Sequence, residues 1–268
     1  MMERAEYRRG RLVSFLTALT LIFLVAPLVV LLMQSFTAES YLAFPPASYG
    51  IRWYRHIFSD DEWQRAILLS LGIAATVTPL SLGFGTAAAL ALDRGPLRGR
   101  RAFYTVLISP MILPGVVLGL GILRVFLWLD LTDRFLGFAL AHLTITIPYA
   151  VITVGASLAS FDRSAEEAAR SLGASPWRAV WHVTLPMIRP GLVGGGIFAF
   201  ITSFDEFIIT YFLATYHLTL PIQIFNSLSY QLDPSIAAVS GLTIMITALL
   251  TTVLVFRGQV ASGGRVLR

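Results

Sequence analysis

The chain has 268 residues, of which 56% are hydrophobic and 13% charged, and its mean hydropathy is +0.74. Soluble domains carry about 25% charged residues, so this composition excludes a soluble globular protein and predicts a chain that crosses a membrane several times. There is no cysteine, which excludes a disulfide, a thiolate metal site and a cysteine nucleophile, and all twenty basic residues are arginine, which excludes the phosphate-binding lysine of a P-loop ATPase.

The remaining polar residues do not predict catalysis, metal binding or nucleic-acid binding. The four histidines are scattered without the spacing of metal ligands, and no nucleophile–base arrangement is visible. The net charge of +5 comes from arginines that lie between apolar segments rather than in one basic stripe, which fits membrane topology. We therefore expect no catalytic residue, no metal site and no nucleic-acid partner.

Six apolar runs are long enough to be transmembrane helices, which need about 20 residues and satisfy their own backbone hydrogen bonds in lipid. They are Leu12–Phe36, Ala66–Leu92, Ala102–Leu129, Phe135–Leu158, Gly191–Ala214 and Ile236–Phe256. The first follows a basic flank, as in a signal peptide, but it is too long for that and no cleavage pattern follows, so we expect it to be retained. The sequence thus predicts an all-α polytopic membrane bundle of six helices, forming one domain over residues 1–268.

The arginines set the orientation of these helices. Fifteen of the twenty lie at the N-terminus, in the second and fourth connections and in the C-terminal tail, whereas four lie on the other side. The positive-inside rule then predicts that both termini and the loop over residues 159–190 are cytoplasmic. The last arginine, Arg124, lies within the third run, where we expect it to snorkel to the outer end or to pair with Asp130.

The cytoplasmic loop begins with the signals of a short helix. Ser164 and Glu167 have the spacing of a capping box, and Glu166 favours the positive end of the helix dipole. Residues Ala165 to Leu172 are good helix formers, and Gly173 suits the position just after a helix end.

A second helix is predicted after that glycine. Ser175 favours the N-cap, with Pro176 at the first helical position, and Pro186 and Pro190 are expected to stop the helix. These local signals predict a helix–turn–helix, which suits a docking surface. On physical grounds alone, a solvated loop that merely joins two spans is an equal alternative.

The spacing of residues in this loop resembles the EAA loop of ABC importer permeases. Glu167-Ala168-Ala169 is followed by Gly173 and then by Leu185-Pro186, with Val183 where that family usually has isoleucine. Further segments are similar to the second permease subunit of spermidine/putrescine importers: Trp53-Tyr54, Ser109–Pro114, Ile147-Pro148-Tyr149 and Phe200–Phe207. That family often has two aspartates where this chain has Asp205-Glu206.

The resemblance implies the type I ABC importer permease (MetI-like) fold in the lipid bilayer of a bacterial cytoplasmic (inner) membrane. It implies a second permease subunit, so that a heterodimer is expected, two ATPase subunits, and a periplasmic or lipid-anchored substrate-binding protein. ATP and Mg would be held by the ATPase, and this chain would bind no cofactor itself. The loop residues expected to couple to the ATPase are Ser164, Glu166, Glu167, Ala168, Ala169, Gly173, Ser175, Pro176, Trp177, Leu185 and Pro186.

Two carboxylates lie well inside the fifth apolar run, where charge is costly and normally functional. On a continuous helix, Glu206 continues a stripe of small and polar residues, whereas Asp205 lies about 100° away on a more apolar face. We therefore expect Glu206 to line a path and Asp205 to tie the helix to a neighbour, although both could be structural. The expected path residues are Asp205, Glu206, Thr202, Thr210 and Tyr211. A negative path suits a small cationic substrate, and the resemblance implies a polyamine.

Other functions stay open at this point. Related ABC importers for opines, other amines, phosphonates or metal complexes share the permease pattern, because specificity often resides in the binding protein. A self-contained secondary transporter or channel is disfavoured, since the chain shows no inverted repeat of its spans and few intramembrane charges. An intramembrane enzyme is disfavoured by the missing nucleophile–base and metal constellations.

Overall fold

The computed structural model describes residues 2–230, 233–247 and 252, with side chains described from residue 13 onward. Within these residues the regular structure is helical, and the only strand-like feature is an isolated bridge between Thr37 and Tyr49. The all-α prediction is therefore confirmed.

The helices follow one another with short connections. They are α1 Met2–Ser35, α2 Arg52–Ser59, α3 Asp61–Arg94, α4 Arg100–Ile112, α5 Gly115–Leu129, α6 Phe135–Ala159, α7 Ser164–Ser171, α8 Pro176–Met187, α9 Arg189–Phe204, α10 Ile208–Leu213, α11 Leu220–Tyr230 and α12 Ser235–Thr247.

Three of these helices are long and apolar enough to cross a membrane, namely α1, α3 and α6. Two bent pairs, α4 with α5 and α8 with α9, raise the number to as many as five if each pair is one span. The predicted sixth run coincides with α12 up to Thr247, and most of its remainder lies outside the described residues. The count of six spans and the cytoplasmic placement of both termini stay predictions.

The third apolar run is not one straight helix. It breaks at Leu113 and Pro114, and the axes of α4 and α5 differ by 104°. The residue before a proline is pushed out of the helical region, and Leu113 is accordingly extended, with φ −72° and ψ 138°.

The fifth run is also two helices, contrary to the continuous helix assumed from the sequence. α9 ends at Phe204, α10 begins at Ile208, and the segment between them contains both Asp205 and Glu206. The helical-wheel argument that assigned different faces to Asp205 and Glu206 is therefore wrong, because it requires an unbroken helix.

The chain divides into two compact units, Arg65–Gln223 on the one hand and Met1–Gln64 with Ile224–Arg268 on the other. The single domain predicted over residues 1–268 stays a prediction. Each unit has its own close contacts, which are described separately.

In the unit that contains both ends of the chain, Trp53 and Tyr54 have structural partners. The buried Trp53 donates its indole N–H to the carbonyl of Glu39 at 2.8 Å, and the Tyr54 hydroxyl donates to Ser35 Oγ at 2.8 Å. A Cβ added at Gly241 would lie only 2.6 Å from Ser35 Cβ, so the close approach of α12 to α1 requires glycine.

In the unit Arg65–Gln223, α6 lies at the centre and α9 packs along it. A Cβ added at Gly195 would lie 2.6 Å from Thr153 Oγ1, so this glycine lets α9 approach α6. The buried core between α3, α6 and α10 consists of Ile73, Val77, Phe138, Ala139, Ala141, Leu143, Ile209 and Leu213.

Candidate functional site

The first helix of the loop over residues 159–190, α7, is capped by a residue that the sequence prediction overlooked. The Ser164 backbone N–H and hydroxyl both donate to the Asp162 carboxylate, at 2.9 and 2.7 Å. These two hydrogen bonds lower the pKa of Asp162 below its ordinary value. The predicted capping box of Ser164 with Glu167 does not form, because Ser164 is already inside the helix.

The bend after α7 forms as predicted. Gly173 has φ +92°, its N–H donates to the carbonyl of Arg170 at 3.0 Å, and the next N–H, from Ala174, donates to the carbonyl of Ala169 at 3.1 Å. This pair of bonds is the Schellman arrangement that ends many helices with glycine. A Cβ at Gly173 would meet no atom within 4 Å, so the position needs glycine for its backbone angle and not for space.

The second helix of the loop, α8, begins as predicted but ends later. Ser175 Oγ accepts the N–H of Arg178 at 3.3 Å, and Pro176 occupies the first helical position. Pro186 does not stop the helix, which continues to Met187 through a π-helical turn over Val180–Thr184. The widened turn accommodates the proline ring, which in a regular α-helix collides with the carbonyl four residues earlier.

Large apolar side chains project from this charged loop. Leu172, next to the bend, is 90% exposed, and Trp177 is 69% exposed. Trp177 forms an edge-to-face pair with the exposed Trp181, with ring centroids 5.7 Å apart. An open groove of about 470 Å³ lies on the same loop, lined by Glu167, Arg170, Ser171, Ala174 and Pro176. Exposed apolar patches of this kind occur where a protein contacts another protein or a membrane.

Glu166 is not part of that exposed surface. Arg94, in the last turn of α3, forms two contacts with its carboxylate, Nη2 to Oε2 at 2.6 Å and Nη1 to Oε1 at 2.9 Å. The buried Thr184 of α8 donates to the same carboxylate at 2.6 Å and accepts from Arg94 at 3.1 Å. This cluster of Arg94, Glu166 and Thr184, here named the loop clamp, joins α3 to both helices of the loop.

A second ion pair lies beside the loop clamp. Arg163 donates to both carboxylate oxygens of Asp93 at 2.9 Å. The last turn of α3 therefore holds the loop through two neighbouring residues, Asp93 and Arg94. The sequence did not predict either contact. Arg94 and Arg163 were used only as two of the fifteen arginines that set the orientation of the helices.

Removing the Arg94 side chain should loosen α7. The half-buried Glu166 would lose hydrogen bonds to a charged group, which contribute about 1.5–3 kcal/mol, or about tenfold or more in the opening equilibrium that hydrogen exchange measures. We expect Arg94→Ala to accelerate amide exchange in Ser164–Ser171 by that factor. The matched control is Arg98→Ala, since the exposed Arg98 makes no ion pair within the described residues. Equal exchange in the two variants would contradict the clamp.

Asp205 and Glu206, the two carboxylates of the fifth apolar run, lie at the break between α9 and α10. Glu206 is half-buried, and its Oε1 accepts the backbone N–H of Ile209 at 2.7 Å, so it caps the start of α10. Asp205 is exposed, and no described residue forms a hydrogen bond with its carboxylate. The carboxylate free to meet another molecule is therefore that of Asp205, whereas the sequence had favoured Glu206.

The other expected path residues differ in their surroundings. Tyr211 is exposed, Thr202 is half-buried, and Thr210 is completely buried. Thr210 Oγ1 lies 2.8 Å from His142 Nε2, and Ser203 Oγ lies 2.9 Å from His142 Nδ1. The break is thus held from α6 by a histidine to which the sequence gave no role.

Asp133 joins the connection before α6 to the segment that follows α10. Its carboxylate accepts three successive backbone N–H groups, of Thr215, Tyr216 and His217, at 2.8, 3.1 and 3.0 Å. Burial raises the pKa of Asp133, but these hydrogen bonds and one from the His217 ring lower it, and the net value lies below the ordinary one.

Arg124 does not pair with Asp130 as the sequence suggested. It is exposed, and Asp130 forms its ion pair with Arg134 instead, four residues further along the chain in the connection between α5 and α6. Within the described residues, no three His, Asp or Glu side chains are grouped to hold a metal ion.

Comparison with known proteins identifies the family. The family described as "Binding-protein-dependent transport system inner membrane component" matches residues 81–265. The putrescine transport system permease protein PotI of Escherichia coli is 36% identical over 243 residues, which are 87% of this chain and 84% of that protein. The spermidine/putrescine transport system permease protein PotC of Haemophilus influenzae is 30% identical over 228 residues, 84% of this chain and 88% of that protein.

The fold is shared with a solved transporter. A crystal structure of a bacterial ABC transporter that imports the acidic polysaccharide alginate superposes with a TM-score of 0.74 at 18% identity, covering 94% of this chain and 96% of that one. The predicted type I ABC importer permease fold is thereby confirmed. The chain is a non-enzymatic permease subunit of an ABC importer and belongs to the family of binding-protein-dependent transport system inner membrane components.

Proposed function

We propose that this permease forms half of the translocation path for a small cationic amine, of which putrescine and spermidine are the expected examples. The observation that carries the proposal is the broken span with the exposed Asp205 and the half-buried Glu206 at its break. Carboxylates at this depth are costly and normally face a water-filled path, and a negative path concentrates cations. Two relatives named for putrescine and spermidine/putrescine transport support the same substrate class.

The cytoplasmic loop is proposed to dock into a partner ATPase, which holds ATP and Mg. Its exposed Leu172 and Trp177 supply an apolar contact surface, and Glu167 and Pro176 lie on the adjoining groove. Of the residues expected to couple, Glu166 acts indirectly, since the loop clamp holds it against α3. The complete importer would contain a second permease subunit, two ATPase subunits and a substrate-binding protein.

A movement of the docked loop would be transmitted to the helices through two sets of contacts. The loop clamp and the Asp93–Arg163 pair connect the loop to α3. In addition, only the buried Ile188 separates α8 from α9, at a bend of 73°. α9 has 16 residues and, at about 1.5 Å per residue, reaches about 24 Å from that bend to Asp205. ATPase closure would therefore shift the carboxylates together with the loop.

The substrate class is tested through the cognate binding protein. We expect calorimetry to show tight binding of putrescine or spermidine, and weak or no binding of an opine, a phosphonate and a metal chelate at the same concentrations. Tight binding of one of those other ligands, with no binding of polyamines, would replace the proposed substrate and leave the permease assignment in place.

A further inference from the structure

His142 lies in the first half of α6, facing the break between α9 and α10. Its side chain is 1% exposed. The two ring nitrogens reach hydroxyl groups on opposite sides of the break, Ser203 Oγ at the end of α9 and Thr210 Oγ1 in α10, at 2.9 and 2.8 Å. Both hydroxyl-bearing residues are also buried. One side chain thus bridges the two halves of the broken helix.

The chemistry of imidazole suits this bridge. A neutral ring has one N–H donor and one acceptor nitrogen on different edges, and a hydroxyl can donate or accept. Both contacts can therefore be satisfied together.

The helix that carries His142 is also held from α3. Thr146 Oγ1 donates to the backbone carbonyl of His142 at 2.8 Å and lies 2.6 Å from Ser81 Oγ of α3. The backbone of α6 at His142 is thus tied to α3 by a buried polar network. In a low-dielectric interior such a fully satisfied network selects one arrangement of the helices that share it.

We propose that His142 is a positioning residue that fixes α9 and α10 relative to each other and so sets where the carboxylates at the break lie. A helix break within a membrane leaves backbone groups that neighbouring elements must satisfy. Glu206 satisfies one of them, the N–H of Ile209, from within the break. His142 holds the flanking helices from the buried side, while Asp205 stays exposed. The consequence for transport rests on the proposed function, whereas the positioning itself does not.

The positioning is tested on the complete importer in proteoliposomes. Because this chain has no cysteine, Asp205→Cys introduces a single reporter, and its labelling by a membrane-impermeant thiol reagent is read on this chain by mass spectrometry. We expect His142→Leu, which keeps the volume but removes both bonds, to change the labelling rate by about tenfold, as for a free-energy change of about 1.4 kcal/mol. Uptake is measured in parallel without the reporter, and we expect His142→Leu to raise KM more than it lowers kcat.

Two further variants separate the bridge from simple packing. Ser203→Ala with Thr210→Val removes the partner hydroxyls, and we expect this pair to change the labelling rate as much as His142→Leu does. When the pair is combined with His142→Leu, we expect no further change in the labelling rate. If His142→Leu fails to assemble, this pair carries the test. The control is Thr144→Val, since the exposed Thr144 bonds only to carbonyls of its own helix among the described residues.

The outcomes distinguish this inference from the proposed function. Unchanged labelling in His142→Leu, or in the Ser203→Ala and Thr210→Val pair, overturns the positioning role. A changed labelling rate in both, with amine uptake unaltered, supports the positioning role and overturns the placement of the carboxylates in the path.

Discussion

Replacing Gly173 by aspartate should reduce the number of substrate molecules imported per ATP hydrolysed by about tenfold. The left-handed backbone at this bend costs a residue with a side chain about 1–2 kcal/mol, and about 1.4 kcal/mol corresponds to tenfold. The new carboxylate would also lie next to Leu172, the most exposed apolar side chain of the proposed docking surface. The measurement is the ratio of uptake to ATP hydrolysis in the reconstituted importer.

The control for this experiment is Gly99→Asp. Gly99 also has a positive φ, +83°, and open space around its Cβ position, but it lies before α4 and outside the loop. We expect it to change the uptake-to-hydrolysis ratio much less. A normal ratio in Gly173→Asp, or an equal loss in both variants, would contradict the docking account.

Asp205→Asn should raise the KM for a cationic amine by about tenfold to a hundredfold. Contacts with charged groups contribute about 1.5–3 kcal/mol, and asparagine keeps the size of the side chain while removing its charge. Because the lost interaction is with the substrate and not with the protein, we expect normal assembly of the complex. The measurement is initial uptake at subsaturating and saturating amine.

Two companion variants sharpen this result. Glu206→Gln should also lower uptake, but less, because the glutamine oxygen can still accept the N–H of Ile209 and keep α10 capped. Asp130→Asn is the control, since Asp130 is exposed and its ion pair with Arg134 contributes little. An unchanged KM in Asp205→Asn would remove this carboxylate from the path.

Features that depend on neighbouring residues were predictable from the sequence. The bend at Gly173 and the N-cap at Ser175 form as predicted, because helix ends follow from backbone angles and capping side chains within a few residues. The long apolar helices follow from composition for the same local reason. The end of α8 was not predicted correctly, because a π-helical turn lets the helix continue past Pro186. No simple sequence pattern predicts such a turn.

Contacts between distant residues were not predictable. Arg94 and Glu166 are 72 residues apart, and His142 is 61 residues from Ser203. The residues around Arg94 do not show whether this arginine only sets the membrane orientation or also joins two helices. The residues around His142 likewise do not show that its side chain bridges two helices. Such roles appear only once α3, α6 and α9 have been packed against each other.

The helix break is an intermediate case. The segment over Asp205-Glu206-Phe207 contains no proline or glycine, so the sequence favoured a continuous helix and placed Glu206 on the path. A signal was present, because a carboxylate shortly before an apolar helical segment can cap that segment, as Glu206 does through the N–H of Ile209. Once the helix is broken there, Asp205 becomes the exposed carboxylate.

The central claim, ATP-driven import of a small cationic amine through this permease, is tested most directly by uptake into proteoliposomes. The complete importer is reconstituted with its binding protein, labelled putrescine is supplied on the binding-protein side, and ATP is supplied on the ATPase side. We predict accumulation that requires both ATP and the binding protein and that falls sharply in Asp205→Asn. Uptake by the permease alone along an ion gradient, or ATP-driven import of an anionic ligand without any amine, would contradict the account.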